Sequence, residues 1–143
     1  MGKKQNETFM EIYLELDKLC CTQFGIPSGG VTEYINRLNN ARFAPSRDEV
    51  LPRLVRYRNL RNNFAHEPGF IRKSNEVTKD DIKWVDHFRH DVLNKRDPVA
   101  KYLRSFERYA LEKKVKKVLF AFLGVLAVAL IVAIIILIKN LLN

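Results

Sequence analysis

The sequence predicts an all-α protein, a bundle of about five helices followed by one C-terminal transmembrane helix, and three observations lead there. Apolar residues recur at three- and four-residue spacing in several separate stretches, the period of an amphipathic helix. No stretch alternates with the two-residue period of a half-buried strand. From Val118 to Ile138 the chain reads VLFAFLGVLAVALIVAIIILI, without a charged or polar residue. As a helix that segment is about 31 Å long at about 1.5 Å per residue, the thickness of a bilayer's hydrocarbon core. A core helix of a soluble protein would keep a polar face over such a length.

Each element can be justified in order. Thr8 to Phe24 carries Phe9, Ile12, Tyr13, Leu16, Leu19 and Cys20 at helical spacing, and GIPSGG ends it. A short helix follows over Thr32 to Asn39, with Tyr34, Ile35 and Leu38 as its apolar face, and NNARFAPS connects it onward. Ser46 with Glu49 reads as a capping box for the next helix. Pro52 in its early turns predicts a kink or a later start. That helix runs to about His66, where EPG stops it. After a polar loop, Thr78 with Asp81 forms a second capping box, and Ile82, Val85, Phe88 and Val92 line one side with Trp84 at the edge. Asp97-Pro98 reads as N-cap and first residue of a last helix, whose stripe is Tyr102, Phe106, Tyr109 and Ala110. No breaker separates this helix from the apolar span. The expected organisation is therefore a cytoplasmic domain over residues 1–112, a basic juxtamembrane segment over 113–117, the span over 118–138 and a short tail over 139–143.

The chain of 143 residues has room for one compact domain, and its 29% charged residues amid ample apolar ones exclude a disordered chain. The net charge is +9, and its location matters more than its size. Lys113, Lys114, Lys116 and Lys117 stand just before the apolar span, where lipid headgroups account for them. The other flank holds only Lys139, so the positive-inside rule expects the domain in the cytoplasm and the chain in the inner membrane as a single-pass tail anchor. The N-terminus is charged and lacks a signal-peptide core, and Asn6 stands where an acylation motif needs Ser or Thr. Cys20 and Cys21 are adjacent, a poor geometry for a disulfide, which fits a reducing compartment.

The stretch RNLRNNFAHEPG, Arg58 to Gly69, carries the chemistry. Projected at 100° per residue, Val50, Leu54, Tyr57, Leu60 and Phe64 cover one arc of the helix, with Arg61 inside it and Arg58 near its rim. A charge among core residues is costly unless something pairs with it. Asn62 and His66, four apart, share a flank, whereas Arg61 and His66 diverge by roughly 140° on an ideal helix. Two readings fit. In the structural one, Arg61 pairs with a carboxylate at the core edge and His66 ends the helix. In the chemical one, histidine supplies acid and base near neutral pH, arginine holds a phosphate oxygen, and asparagine fixes the histidine or bonds the phosphate. That set suits RNA cleavage by the neighbouring 2′-hydroxyl, with no metal or cofactor required.

The run RNNFAH resembles the Arg-Asn-x-x-x-His signature of the HEPN domain superfamily, and LVRYRNLRNNFAHEP and VTKDDIKWV resemble the motif's surroundings there, over about residues 5 to 110. The resemblance implies a metal-independent endoribonuclease acting as a homodimer or higher homo-oligomer, with two motif copies facing one another. Carried over by position, His66 is the acid/base, Arg61 the phosphate clamp and Asn62 the positioning residue. Arg53, Arg56, Arg58, Arg72 and Lys73 are then the expected RNA contacts. The superfamily recurs in antiviral defence and toxin systems, which implies a partner protein of that kind. Two other functions stay open: a non-enzymatic effector whose assembly perturbs the membrane, and a membrane-tethered adaptor for another defence protein. His87, His90 and Asp91 fall within one helical turn, and two histidines three apart can share a metal, but no third or fourth ligand is identifiable elsewhere and a solvated face explains them. Cys20 and Cys21 read as core-edge residues.

A chain ending before Val118 is expected to be soluble and folded, while the full chain resists carbonate extraction from membranes. Protease added outside spheroplasts should spare the domain; its digestion from that side would reverse the orientation.

Overall fold

The computed structural model describes residues 2–67 and 69–141, and all their side chains except those of Gly2, Arg72 and Leu141. Those residues are all-helical, without a strand. Four helices of eleven residues or more come first: α1 (Gly2–Phe24), α2 (Gly30–Asn40), α3 (Arg47–His66) and, after the single turn α4 (Phe70–Lys73), α5 (Lys79–Leu93). The long α6 (Pro98–Leu141) follows. Two compact units divide the chain, residues 1–103 and 104–143, so the first ends nine residues before the sequence-based boundary at 112.

Within the first unit, α1 is the central helix and packs against α5, α2 and α4, while α3 packs on α2 and α4. Its face of Phe9, Tyr13, Leu16 and Cys20 is buried, as the periodicity requires. It begins earlier than Thr8, because Asn6 is fully buried and its Nδ2 donates to the carbonyls of Ile71 (2.9 Å) and Ser74 (2.7 Å). That pair of bonds ties the start of α1 to the α4 turn. At the other end Gly25 takes φ +67 and the Ile26 amide donates to the Cys21 carbonyl at 3.1 Å, a Schellman closure. Gly30 opens α2 so close to α1 that a Cβ there would collide with the Asp17 carbonyl and the Cys21 amide. The same approach lets Asp17 Oδ1 accept from the Val31 amide at 2.8 Å and cap α2 from outside.

Helix α3 departs from expectation at its start. Ser46 adopts a left-handed conformation (φ 57) and makes no side-chain cap bond, so its capping box with Glu49 is absent. A capping hydroxyl needs extended backbone, and here the turn through buried Ala41 and Ala44 delivers the chain in the opposite hand. The helix starts at Arg47 and runs through Pro52, so the later start does not occur. The amide Pro52 lacks would have met the first turn's Asp48 carbonyl, so a single bond is lost. The region after His66 is not wholly loop, since it contains α4, whose Phe70 ring lies 5.6 Å from that of Phe64.

Both other caps form as read. Thr78 and Asp81 exchange side-chain and backbone bonds, Asp81 N to Thr78 Oγ1 at 3.1 Å and Thr78 N to Asp81 Oδ2 at 2.9 Å. Asp97 Oδ1 accepts from the Val99 and Ala100 amides, both at 3.1 Å, and from the Tyr34 hydroxyl at 2.6 Å. Beyond Val99 and Ala100, only Tyr102 of the expected α6 stripe packs on the core, while Phe106 and Tyr109 are exposed. Cys20 lies in the core rather than at its edge, and burial pushes its thiol well above the ordinary range. Among the described residues one helix is long and apolar enough to cross a membrane, and its apolar stretch is wholly exposed.

The bond that sets the roll of α3 is made by Asp81. Its carboxylate accepts from Arg56 Nη1 (2.7 Å) and Tyr57 Oη (2.9 Å) on α3. Arg56 Nη2 also donates to the Glu76 carbonyl at 2.9 Å. Burial alone would raise the Asp81 carboxyl, but the Arg56 guanidinium, then Thr78 and Tyr57, outweigh it and hold it down at about 2, against an ordinary 3.8. A depressed carboxyl stabilises the fold above its unfolded value and loses that contribution as pH falls. Unfolding free energy should therefore drop by about 2 kcal/mol between pH 4 and pH 2 from this group. Arg56→Ala should cost about 2 kcal/mol at pH 7, the scale of a charge-assisted hydrogen bond, and weaken the acid-induced drop. Urea titrations of both proteins across that range measure it.

Candidate functional site

The last two turns of α3 present the motif. Tyr57, Leu60 and Phe64 point inward, with Phe9 of α1 in edge contact with Tyr57 at 5.3 Å and Phe64 at 6.3 Å. With those three anchored, the helical repeat turns Asn59, Asn62, Ala65 and His66 to the surface, where all four are exposed. Arg58, Asn62 and His66 are successive four-residue steps and form one row along the helix. Arg61, placed by projection inside the apolar arc, is half-buried at its margin, and its Nη1 donates to Asn62 Oδ1 at 3.3 Å. The guanidinium thus reaches sideways toward the row that holds His66. His66 ends the helix, and the chain leaves through Glu67, whose amide donates to the Asn63 carbonyl at 2.9 Å. Gly69 at φ +78 then turns it into α4.

The charges here lack the compensation seen elsewhere. Four arginines are half-buried among the described residues: Arg47, Arg58, Arg61 and Arg89. Arg47 pairs with Asp48 at 3.1 Å, and Arg89 with Asp86 at 2.7 Å and Glu15 at 3.0 Å. Neither Arg58 nor Arg61 has an ion pair among the described residues, so the carboxylate of the structural reading does not appear beside Arg61. Beneath them lies buried Tyr13. Burial pushes its phenol above the ordinary range and Asp17 adds to this, while the charges of Arg61 and Arg58 act in the opposite sense. Sequence reasoning gave Tyr13 no role because it sits in the apolar stripe of α1, where nothing distinguishes it from a core aromatic.

The expected RNA contacts divide. Arg56 is bound to Asp81 and is a structural residue first, and Arg53 lies over the Trp84 ring at 5.3 Å. Lys73 is exposed on α4, and the side chain of Arg72 lies outside the described residues. His87 Nε2 stands 3.6 Å from Asp91 Oδ2, and His90 Nε2 3.9 Å from Asp86 Oδ1. Among the described residues no three His, Cys, Asp or Glu side chains are grouped to hold a metal. A cleft of about 170 Å³ beside Glu49, Trp84, His87 and Lys101 includes none of Arg61, Asn62 and His66. The surface lysines Lys113, Lys114, Lys116 and Lys117 are exposed on α6.

The model of a family of unknown function, DUF6548, matches residues 7–120. The chain belongs to that family. No curated protein and no solved structure matches it. The DUF6548 match covers α2 to α5, most of α1 and the lysine-rich stretch of α6, so the α3 row and the basic segment lie inside one family unit.

Because Asn62 and His66 are exposed and Arg61 holds no buried partner, Arg61→Ala, Asn62→Ala and His66→Ala should each change stability by no more than about 0.5 kcal/mol. Thermal melts followed by circular dichroism check this. A loss above about 2 kcal/mol in any of them would assign that residue to the fold instead.

Proposed function

We propose that this DUF6548 member is a membrane-anchored, metal-independent endoribonuclease of HEPN type that cuts RNA through the ribose 2′-hydroxyl, as a defence or toxin effector. The observation that carries the reading is Arg61: a half-buried guanidinium without a carboxylate among the described residues, leaning on Asn62 in the row that ends at His66. An uncompensated, partly desolvated cation is poised for an anion.

In the reaction, one imidazole takes the proton of the 2′-hydroxyl as O2′ attacks the adjacent phosphorus. The P–O5′ bond breaks, and O5′ leaves with a proton from an imidazolium. The products are a 2′,3′-cyclic phosphate and a 5′-hydroxyl. Arg61 carries the charge growing on the non-bridging oxygens, and Asn62 holds the Arg61 fork and the phosphate in register. His66 lies beyond Arg61 around the helix, so a second copy facing the first supplies the partner imidazole, and the active species is a homodimer or a multiple of one. α6 tethers the domain at the cytoplasmic face of the inner membrane, with the lysines from Lys113 to Lys117 against the headgroups.

RNA should be cut in EDTA, DNA left intact, and cyclic-phosphate ends found by mass spectrometry. His66→Ala should remove about 2 to 4 decades of rate. Arg61→Lys should also fail, because a point ammonium lacks the planar fork. The protein should sediment as a dimer or a multiple of one. Cleavage that survives both His66→Ala and Arg61→Ala, or membrane depolarisation in cells whose RNA stays intact, would transfer the assignment to the membrane-effector reading.

A further inference from the structure

Arg58 and Arg61 are three residues apart on α3, so their Cβ atoms lie about 5–6 Å apart on one side of the helix. Like charges at that spacing destabilise a helix, and partial burial raises the cost. The other two half-buried arginines have carboxylates; these two have none among the described residues. Asp17, whose charge acts on the same Tyr13 as theirs, holds the Val31 amide at 2.8 Å and is committed to capping α2. Tyr13 beneath them is buried and offers a neutral hydroxyl rather than a counter-charge. Among the described residues the fold therefore carries a local excess of two positive charges at the margin of its core, Arg58 in the row of Asn62 and His66 and Arg61 beside it.

We infer that Arg58 is a second phosphate clamp, holding the phosphate next to the one Arg61 engages, so that the site takes polynucleotide strands with at least two successive phosphates and discriminates against a dinucleoside monophosphate. This rests on the ribonuclease reading for which phosphate is cut, but not for the binding of two. The separation of the two guanidinium stems is of the order of the step between successive phosphates on an extended strand. Arg58 touches no scissile atom and sets substrate length, while Arg61 acts at the reacting phosphorus. Arg53 and Arg56 cannot take this role, one lying over Trp84 and the other bound to Asp81.

The test uses the full chain in detergent micelles and two substrate sets. In the first, trinucleotides with ribose at a single position carry the extra phosphate on the 5′ or the 3′ side of the only cleavable bond, and are compared with the dinucleoside monophosphate. The wild type should prefer one trinucleotide by about 10- to 100-fold in kcat/KM, the scale of one charge-assisted contact, mostly through KM. Arg58→Gln should collapse that ratio toward one, and Arg58→Lys should give an intermediate ratio. Arg58→Lys also keeps the test alive should Arg58→Gln fail to fold. In the second, fully 2′-deoxy di- and trinucleotides cannot be cut, and their binding is read by fluorescence anisotropy against salt. The trinucleotide should bind more tightly, and Arg58→Gln should lower the salt slope by about one. If no RNA is cut but this binding difference holds, the ribonuclease reading fails and the clamp stands. Equal binding of the two lengths by the wild type, or a length preference that Arg58→Gln keeps, overturns the clamp.

Discussion

Asp81 joins two helices that chain geometry alone would leave free to roll against one another. Its carboxylate closes the cap of α5 through Thr78 and at the same time accepts from Arg56 and Tyr57 on α3. Because Arg56 and Tyr57 are consecutive, both bonds are met only at one roll of α3 about its axis. That roll sends Tyr57, Leu60 and Phe64 into the core and leaves Arg58, Asn62 and His66 along the outer side. The surface chemistry at the end of α3 thus depends on a buried carboxylate about two helical turns before it.

The other buried polar groups perform the same kind of joining at different corners. Asn6 binds α1 to the end of α4, and Asp97 binds the start of α6 to Tyr34 of α2. Each leaves one oxygen without a partner among the described residues, Asn6 Oδ1 and Asp97 Oδ2. Such atoms cost stability, and here they accompany joints that a purely apolar core would not specify. Asn6 matters for the candidate site, because α4 is the turn against which the end of α3 rests through Phe64 and Phe70.

The arginines of α3 show how one residue type serves opposite ends. Arg56 has a buried carboxylate and is part of the scaffold, whereas Arg58 and Arg61 have none among the described residues and lie half-buried at the core margin. Membership in DUF6548 encloses both kinds in one unit. Scaffold and candidate site therefore share one helix, and a substitution of Arg56 acts on the site only through the placement of α3.

The sequence by itself determined the helical class, the apolar span, the inward arc of α3 and the caps at Thr78 and Asp97. All of these follow from local spacing, since a helix repeats every 3.6 residues and a cap reaches only three residues ahead. The Arg-Asn-x-x-x-His run was also legible, because four-residue steps already align Asn62 with His66. Tertiary structure decided the rest. It cancelled the Ser46 cap, because the turn through Ala41 and Ala44 imposed the wrong backbone hand. It found α4, whose position is held by Asn6 from 65 residues away. It also separated Arg56 from Arg58 and Arg61: a guanidinium becomes scaffold when packing brings it a carboxylate 25 residues distant, and no helical period carries that information.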